Sequence, residues 1–538
     1  MPQNREIMRV EKAIKIRIWL LILISATLMS IPYLIPHCGF TSLFAFVPLF
    51  YLDKLLTEYK VKRGWLYYFS LFFLFNIATT FWIYFVSAIG SIFALLLNAL
   101  QMSAIFAIFR WSRRRSKGIL PYIFFIATWI SWEKIYCDIE ISWPWLQLGN
   151  SFAKSIELAQ WYEFTGILGG TFWILFTNLI LFLLLEAIQR KEKRAIISNS
   201  IIYAVFIIVP ITYSIIRFNT YEEVSNPKEV VVVQPNVDPF NGKYGGISQL
   251  KLDHNLIDLS KKVLTPETDF IVTPETFTYS VDVDNATNSS SAKRYLELLE
   301  EYPNASILFG ALTYKRFYQA QKPTYTARKG TGFWYDTYNS AFLLDSEGNY
   351  SYSHKSKLVP GVEIIPYQQY IPFLGELVSK FGGAASSYAR MPGGMSVMEA
   401  KDGTKICAPI CYESIYSDYV RECVKKGTNL IFVITNDGWW GDTPGYRQHF
   451  DYARLRAIET RRSVIHCANT GISAVIDQRG VAHHKTKYWV EESFNAIANS
   501  NDKLTPFTIY GDIVGRVSYF VFILLLVSQL VVKRRSEL

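Results

Sequence analysis

Eight apolar stretches, each long enough to cross a bilayer, limit what this chain can become. A helical span needs about 20 apolar residues, within a range of roughly 17–25. Seven such stretches precede residue 220, at roughly 18–36, 38–56, 65–86, 91–109, 118–136, 168–188 and 199–217, and an eighth lies at 514–532. Backbone in hydrocarbon must satisfy its own hydrogen bonds, so stretches of this length are read as helices. The first follows a basic start (Arg5, Arg9, Lys12, Lys15, Arg17). Its apolar core is too long for a signal peptide and no small-residue cleavage site follows, so it reads as a retained span. Composition agrees: half of the 538 residues are hydrophobic and 19% are charged, against about 25% charged in soluble proteins. Aromatics at 16% suit interfacial belts, the reading preferred for Trp143, Trp145 and Trp161 over the lining of a lipid entrance.

Loop charge sets the orientation, because Lys and Arg near span ends favour the cytoplasm. The N-terminus is basic. So are the loop after span two (Lys54, Lys60, Lys62, Arg63), the loop after span four (Arg110, Arg113, Arg114, Arg115, Lys117), the loop after span six (Arg190, Lys191, Lys193, Arg194) and the tail after span eight (Lys533, Arg534, Arg535). Every second loop is basic, so both termini are expected in the cytoplasm and the long segment between spans seven and eight outside it. The net charge of +10 is thereby accounted for by topology rather than by a nucleic-acid surface.

The expected organisation is a seven-span membrane domain over 1–219, an extracytoplasmic domain over 220–512, and a last span with a basic tail over 513–538. The middle segment changes character. Short apolar runs such as Val230–Val233, Phe270–Thr273, Ile307–Leu312, Ile406–Ile410 and Leu430–Thr435 read as strands buried on both faces. Helical patterns at Ala292–Glu301, Tyr416–Lys426 and His449–Arg462 lie between some of them. That alternation predicts an α/β domain with helices on sheet faces.

Three short sequences carry potential chemistry: T-P-E-T at Thr273–Thr276, H-K-S-K-L-V-P-G-V-E at His354–Glu363, and P-I-C-Y-E-S at Pro409–Ser414. Glu275 and Cys411 each close a strand, where ligands of α/β sheets gather. A cysteine attacks carbonyls as its thiolate, which a nearby cation favours. Lys355 supplies such a charge and can stabilise an oxyanion. Glu275 can take the thiol proton and later that of an incoming amine. The backbone N–H of Tyr412 offers a second oxyanion donor. The blander reading is that Cys411 is a small buried hydrophobe and that Glu275 and Lys355 are surface charges. A Cys407–Cys411 disulfide is disfavoured: on one strand the two lie about 13 Å apart, and a disulfide needs about 7 Å or less. His483 and His484 are adjacent and lack an acidic cluster, so no metal pair is expected. His449 and His466 read as core or surface. The apolar, aromatic segment from Ile364 to Phe381, beside Gly382-Gly383 and Gly393-Gly394, reads as a lid at the bilayer or as a segment packed on the domain.

At these residues the chain resembles the nitrilase, or carbon–nitrogen hydrolase, superfamily, which carries a Glu–Lys–Cys triad in this order. The resemblance places it on Glu275, Lys355 and Cys411. Further stretches look like the same family: V-V-Q-P-N at the domain start, Y-N-S-A at Tyr338–Ala341, N-D-G-W-W at Asn436–Trp440, and R-A-I-E-T-R-R with N-T-G-I-S-A-V-I-D after it. The whole layout, with W-P-W-L-Q-L-G-N before span six and T-P-F-T-I-Y-G-D before span eight, is similar to the apolipoprotein N-acyltransferases of the Gram-negative inner membrane.

That resemblance implies an αββα sandwich in the periplasm and supporting roles for Glu363, Tyr412 and Glu413. It implies transfer of a fatty acyl chain from a phospholipid to the N-terminal amine of a diacylglyceryl-cysteine lipoprotein, through a thioester. It implies a monomer in the bilayer that needs no metal or organic cofactor. A membrane-tethered amidase with the same triad is the alternative; a scaffold with an inert domain and a transporter are more distant rivals.

Overall fold

A computed structural model describes residues 2–239, 246–371, 373 and 387–536. The membrane part is built from helices α1 (Pro2–Leu34), α2 (Val47–Glu58), α3 (Trp65–Thr80), α4 (Ala88–Arg115), α5 (Leu120–Tyr136), α6 (Tyr162–Arg190) and α7 (Lys193–Thr220), and a last helix, α13 (Ile513–Ser536), returns to it. Among the described residues, seven helices are long and apolar enough to cross a membrane. That is one fewer than the eight expected. The difference is α5, a helix of 17 residues that ends at Tyr136, just before the polar Asp138 and Glu140. At 1.5 Å per residue it is about 26 Å long, at the lower limit for a span. The outermost helices show the lipid-facing pattern. On α7, Ile197, Ile201, Ile208 and Val209 are exposed, and on α13 so are Phe520 and Leu524. Apolar surface on that scale is stable only against lipid or a partner.

Between α7 and α13 lie strands β1 (Pro227–Gln234), β2 (Phe270–Val272), β3 (Thr278–Asp282), β4 (Ser306–Phe317), β5 (Arg328–Lys329), β6 (Trp334–Leu344), β7 (Tyr350–His354), β8 (Met398–Glu399), β9 (Lys405–Cys407), β10 (Leu430–Thr435), β11 (Val464–Ala468), β12 (Ala474–Ile476), β13 (Ala482–His483) and β14 (Glu492–Asn499). With them run helices α8 (Gln249–Lys261), α9 (Ser290–Glu301), α10 (Ser417–Lys425), α11 (Pro444–Thr460) and α12 (Pro506–Tyr510). The strands form two sheets. One has the order β14-β1-β2-β4-β6-β5, with β3 on β4 and β7 on β6; the other runs β13-β12-β11-β10-β9-β8. β1, β2 and β4 pair in parallel, as do β9, β10 and β11.

The valine run of β1 is buried throughout because both of its faces are covered. Val230 and Val232, with Phe270 and Val272, face the second sheet, where the rings of Phe270 and Phe432 lie 5.2 Å apart. Val231 and Val233, with Ile271 and Phe309, face Leu256 of α8 and Tyr295 and Leu299 of α9. On the outer side of the second sheet α11 packs against β11, and α10 packs against α11. The domain is therefore a helix–sheet–sheet–helix sandwich, as the resemblance implies. Ser248 and Ser289 start α8 and α9 by accepting the backbone N–H three residues on.

Helix α11 explains how the two parts meet. Almost all of its residues are buried, including Gln448, His449, Asp451 and Arg456, because one side lies on the sheet and the other on the membrane helices. Gln448 accepts from the indoles of Trp145 (2.7 Å) and Trp82 (3.3 Å) and donates to the carbonyls of Tyr33 and Thr79. Asp451 pairs with Lys154 at 2.7 Å. Trp145 is 1% exposed and packs on Trp82, Trp440 and Tyr452, so it belongs to this seam and not to an interfacial belt. Trp143 stacks on Trp145 and on Tyr412, and Trp161 packs edge-on against Tyr162 and Trp173.

Just past α11, the buried guanidinium of Arg461 donates to Glu163 of α6 (2.8 Å), to the side chain of Gln160 (2.8 Å) and to the carbonyl of Gln478 (3.0 Å). Removing one partner of a buried ion pair costs about 3–5 kcal/mol. Arg461→Met is therefore expected to lower the melting midpoint of the detergent-solubilised protein clearly, read by intrinsic fluorescence on heating; an unchanged midpoint contradicts this role.

Candidate active site

Four loops converge where the two sheets offer the carboxyl ends of their strands. T-P-E-T leaves β2 and carries Glu275. The segment after β7 carries Lys355 and, eight residues later, Glu363. The turn after β9 carries Cys411, and Asn436 follows β10. The Lys355 ammonium is fully buried and donates to Glu275 Oε1 at 3.1 Å and to Glu363 Oε1 at 2.9 Å. Asn339, next to Ser340 of the β6–β7 ladder, donates its amide to the same two carboxylates at 2.7 and 3.1 Å. Glu275 Oε2 accepts the backbone N–H of Asn436 at 3.2 Å, and Glu363 Oε2 that of Val359 at 2.9 Å. Burial alone pulls the Lys355 amine down, but the charges of Glu275 and Glu363 outweigh it and hold the ammonium well above its usual range.

Cys411 begins a short 3-10 turn, Cys411–Ile415, with a left-handed φ of 51°. It is 8% exposed. Burial pushes its thiol well above the usual range, and the Glu275 carboxylate adds to that. Lys355 and a hydrogen bond with Thr435 oppose it. All six cysteines are free, Cys407 and Cys411 among them.

The neighbours of Cys411 brace the loops. Glu413 accepts the N–H of Ser356 (2.7 Å) and Lys357 (3.1 Å) and the hydroxyl of Tyr419 (2.8 Å) on one oxygen, and the N–H of Ile410 (3.0 Å) on the other. It thus ties the lysine segment to the cysteine turn. The Tyr412 side chain points away from the Lys355 cluster, towards the membrane helices, and donates to the Ser142 carbonyl at 2.6 Å. Of the segment read as a lid, residue 372 and residues 374–386 lie outside the described residues, and with them Gly382-Gly383.

Reading the sequence missed Asn339 and Asn436 as contact residues, although both stand in the quoted stretches Y-N-S-A and N-D-G-W-W. It also missed a buried group of Asp437, His449 and His466, whose ligating atoms lie within 4.8 Å of one another. His449 Nδ1 already bonds Asp437 at 3.1 Å and His466 Nδ1 the Ile472 carbonyl at 2.8 Å. Asp437 and His449 are therefore a hydrogen-bonded pair, and His466 meets His449 only through an edge-on ring contact at 5.5 Å.

Comparison with known proteins extends the picture. Residues 25–180 match the model of the apolipoprotein N-acyltransferase N-terminal domain, and residues 249–500 match that of the carbon–nitrogen hydrolases. The chain belongs to the apolipoprotein N-acyltransferase family. It is 28% identical to the apolipoprotein N-acyltransferase of Chlorobaculum tepidum over 82% of this chain and 83% of that one. It is 26% identical to that of Geobacter metallireducens over 74% and 73%. Against the Rickettsia prowazekii protein of the same name the figure is 29%, over 66% of each chain. Within this acyltransferase the two matched regions meet along the α11 seam.

Two predictions rest on this geometry. A Cβ at Gly310 of β4 lands 2.4 Å from the Pro274 carbonyl and 2.7 Å from Glu275 Cα, so Gly310→Ala must displace Glu275. A shift of about 1 Å costs about 10²-fold in rate, and Gly310→Ala is expected to slow turnover by that order with little change in KM. Second, Glu275 raises the Cys411 thiol, so removing its charge lets the thiolate form at lower pH. Glu275→Gln is expected to speed alkylation of Cys411 by iodoacetamide at neutral pH while acyl transfer is lost; slower alkylation contradicts the electrostatics described here.

Proposed function

We propose that this apolipoprotein N-acyltransferase works in two half-reactions on Cys411, taking a fatty acyl group from a phospholipid and passing it to the N-terminal amine of a diacylglyceryl-cysteine lipoprotein. In the first, Glu275 accepts the thiol proton as Sγ attacks the ester carbonyl, and Lys355 and the Tyr412 N–H stabilise the oxyanion. The tetrahedral intermediate collapses to a thioester, and the lysophospholipid leaves with the proton held by Glu275. In the second, the amine attacks the thioester, Glu275 takes its proton, and the thiolate departs and is reprotonated. The single observation that carries this reading is the buried Lys355 ammonium shared between Glu275 and Glu363. With the cysteine proton retained at rest, a carboxylate base beside it is required rather than optional. Glu363 steadies the ammonium, and Glu413, with both oxygens filled by N–H and O–H donors, braces the two loops rather than moving protons.

We place the domain in the periplasm and both termini in the cytoplasm, by the positive-inside rule. The basic helix ends support this: Lys54 pairs with Glu186 at 2.7 Å, Arg190 with Glu186 at 3.3 Å, and Arg110 with Asp53 at 2.7 Å, joining the ends of α2, α4 and α6 that carry the Lys and Arg runs. A thioester survives only where water is excluded, and a site in a domain docked on the bilayer suits a lipid donor.

The test is the intact mass of the purified protein after incubation with a phospholipid, beside Cys411→Ala. One acyl mass is expected, absent from the variant and discharged by a diacylglyceryl-cysteine peptide. Unchanged mass with turnover of small amides establishes the tethered amidase instead.

A further inference from the structure

The turn that bears Cys411 is held from behind by a group outside the Glu–Lys–Cys cluster. His449 of α11 is fully buried. Its Nε2 lies 2.9 Å from the Cys411 carbonyl oxygen and 2.9 Å from the Ser414 hydroxyl, which itself donates to the same carbonyl at 2.8 Å. Its Nδ1 lies 3.1 Å from Asp437 Oδ1. Asp437 is also fully buried and accepts the Thr435 hydroxyl at 2.7 Å on that oxygen. The Thr435 hydroxyl also neighbours the Cys411 sulfur and, as a donor, favours its thiolate.

A backbone carbonyl and a carboxylate are both acceptors only. Nδ1 against a carboxylate must carry a proton, and when Nε2 donates to the Cys411 carbonyl as well the ring is an imidazolium paired with Asp437. Burial pulls the ring's pKa down, but Asp437 outweighs it and the net direction is upward. The other groups facing the ring agree with a cation there. Trp145 stacks on it at 6.0 Å and Trp440 meets it edge-on at 5.5 Å. His466, across at 5.5 Å, is held low by burial, to about 4, and so stays neutral. Glu275 adds a further negative charge.

We propose that His449 and Asp437 are a positioning pair for the nucleophile, fixing the Cys411 carbonyl directly and orienting the Thr435 hydroxyl beside its sulfur. Two things follow from the geometry. The left-handed φ of Cys411, 51°, is strained for a residue with a side chain, and the carbonyl anchor is what holds it. The Thr435 hydroxyl has one proton, which goes to Asp437 while the thiol is intact and to the sulfur once it ionises. Asp437 keeps the imidazolium as its partner at that moment. Because Trp145 comes from the membrane part, the pair also connects the membrane seam to the reacting residue.

The proposal rests on Cys411 being the nucleophile, and the wild-type control tests that separately. Single-turnover acylation is followed by intact mass against phospholipid concentration, for the wild type, His449→Ala, His449→Gln and Thr435→Val. His449→Ala is expected to acylate about 10²-fold more slowly with KM within about twofold. His449→Gln, which keeps a donor for the Cys411 carbonyl, is expected to recover about tenfold of that loss. Thr435→Val, close to isosteric and the arm that stands if His449→Ala does not fold, is expected to be about tenfold slower. Wild-type rates in His449→Ala or Thr435→Val, or a His449→Gln no faster than His449→Ala, overturn the positioning role. A wild type that gains no acyl mass removes the nucleophile assignment itself, and the positioning pair with it.

Discussion

The site depends on one buried cation. An ammonium with no access to water is tolerated only if carboxylates surround it, because an unpaired buried charge costs several kcal/mol. Lys355 therefore dictates the placement of Glu275 and Glu363, and Asn339 holds both carboxylates in register with it. Two loops that are far apart in the chain, and a residue of β6, are drawn to one point by this requirement. Glu413 repeats the device one layer out, with a carboxylate filled by backbone N–H groups of the lysine segment and the cysteine turn. The reactive thiol sits in the field of both signs of charge, and its proton is retained until a base removes it.

The second constraint is the seam between the sandwich and the membrane helices. A helix packed on one side only is amphipathic. Helix α11 is packed on two sides, so its polar residues are turned to use: Gln448 and Asp451 bind the membrane part, and His449 reaches the nucleophile turn. Catalytic geometry and domain docking thus share one helix. A lipid substrate makes that arrangement reasonable, since the proposed acyl-enzyme is then presented at a fixed position relative to the bilayer.

Much of the fold was legible from local pattern. The apolar stretches became helices, the valine and isoleucine runs became strands, and Ala292–Glu301 falls within α9. α5 came out at 17 residues because it starts at Leu120, after Gly118 with its left-handed φ and with Pro121 in its first turn, while its end at Tyr136 is where hydropathy placed it. The Trp-rich loop was misread for a different reason. Trp at a span end suits an interfacial belt equally well, and only the opposing Gln448 and Tyr452 show that Trp145 is buried in a seam. At the site, Glu275 and Cys411 stood out because each closes an apolar strand in a short, distinctive sequence, and Lys355 because it supplies a cation in another such sequence. Asn339 lay within a quoted stretch without a role. His449 gave no signal, since a lone histidine in a helix has no local pattern that separates an anchor from a core residue.

What the sequence by itself determined was everything governed by short-range periodicity and residue type: the spans, the alternation of loop charge, the buried strands of an α/β domain, and the chemical kinds of residue in the site. The tertiary structure decided what depends on distance between remote segments. It set which carboxylates share Lys355, the brace made by Glu413, the close approach of Gly310 to the Glu275 loop, and the His449–Asp437 pair behind Cys411. The reason is physical. Hydropathy and propensity act over a few residues, whereas a buried charge or an unpaired donor is satisfied by whichever group the fold brings within hydrogen-bonding distance, however far away it lies in the chain.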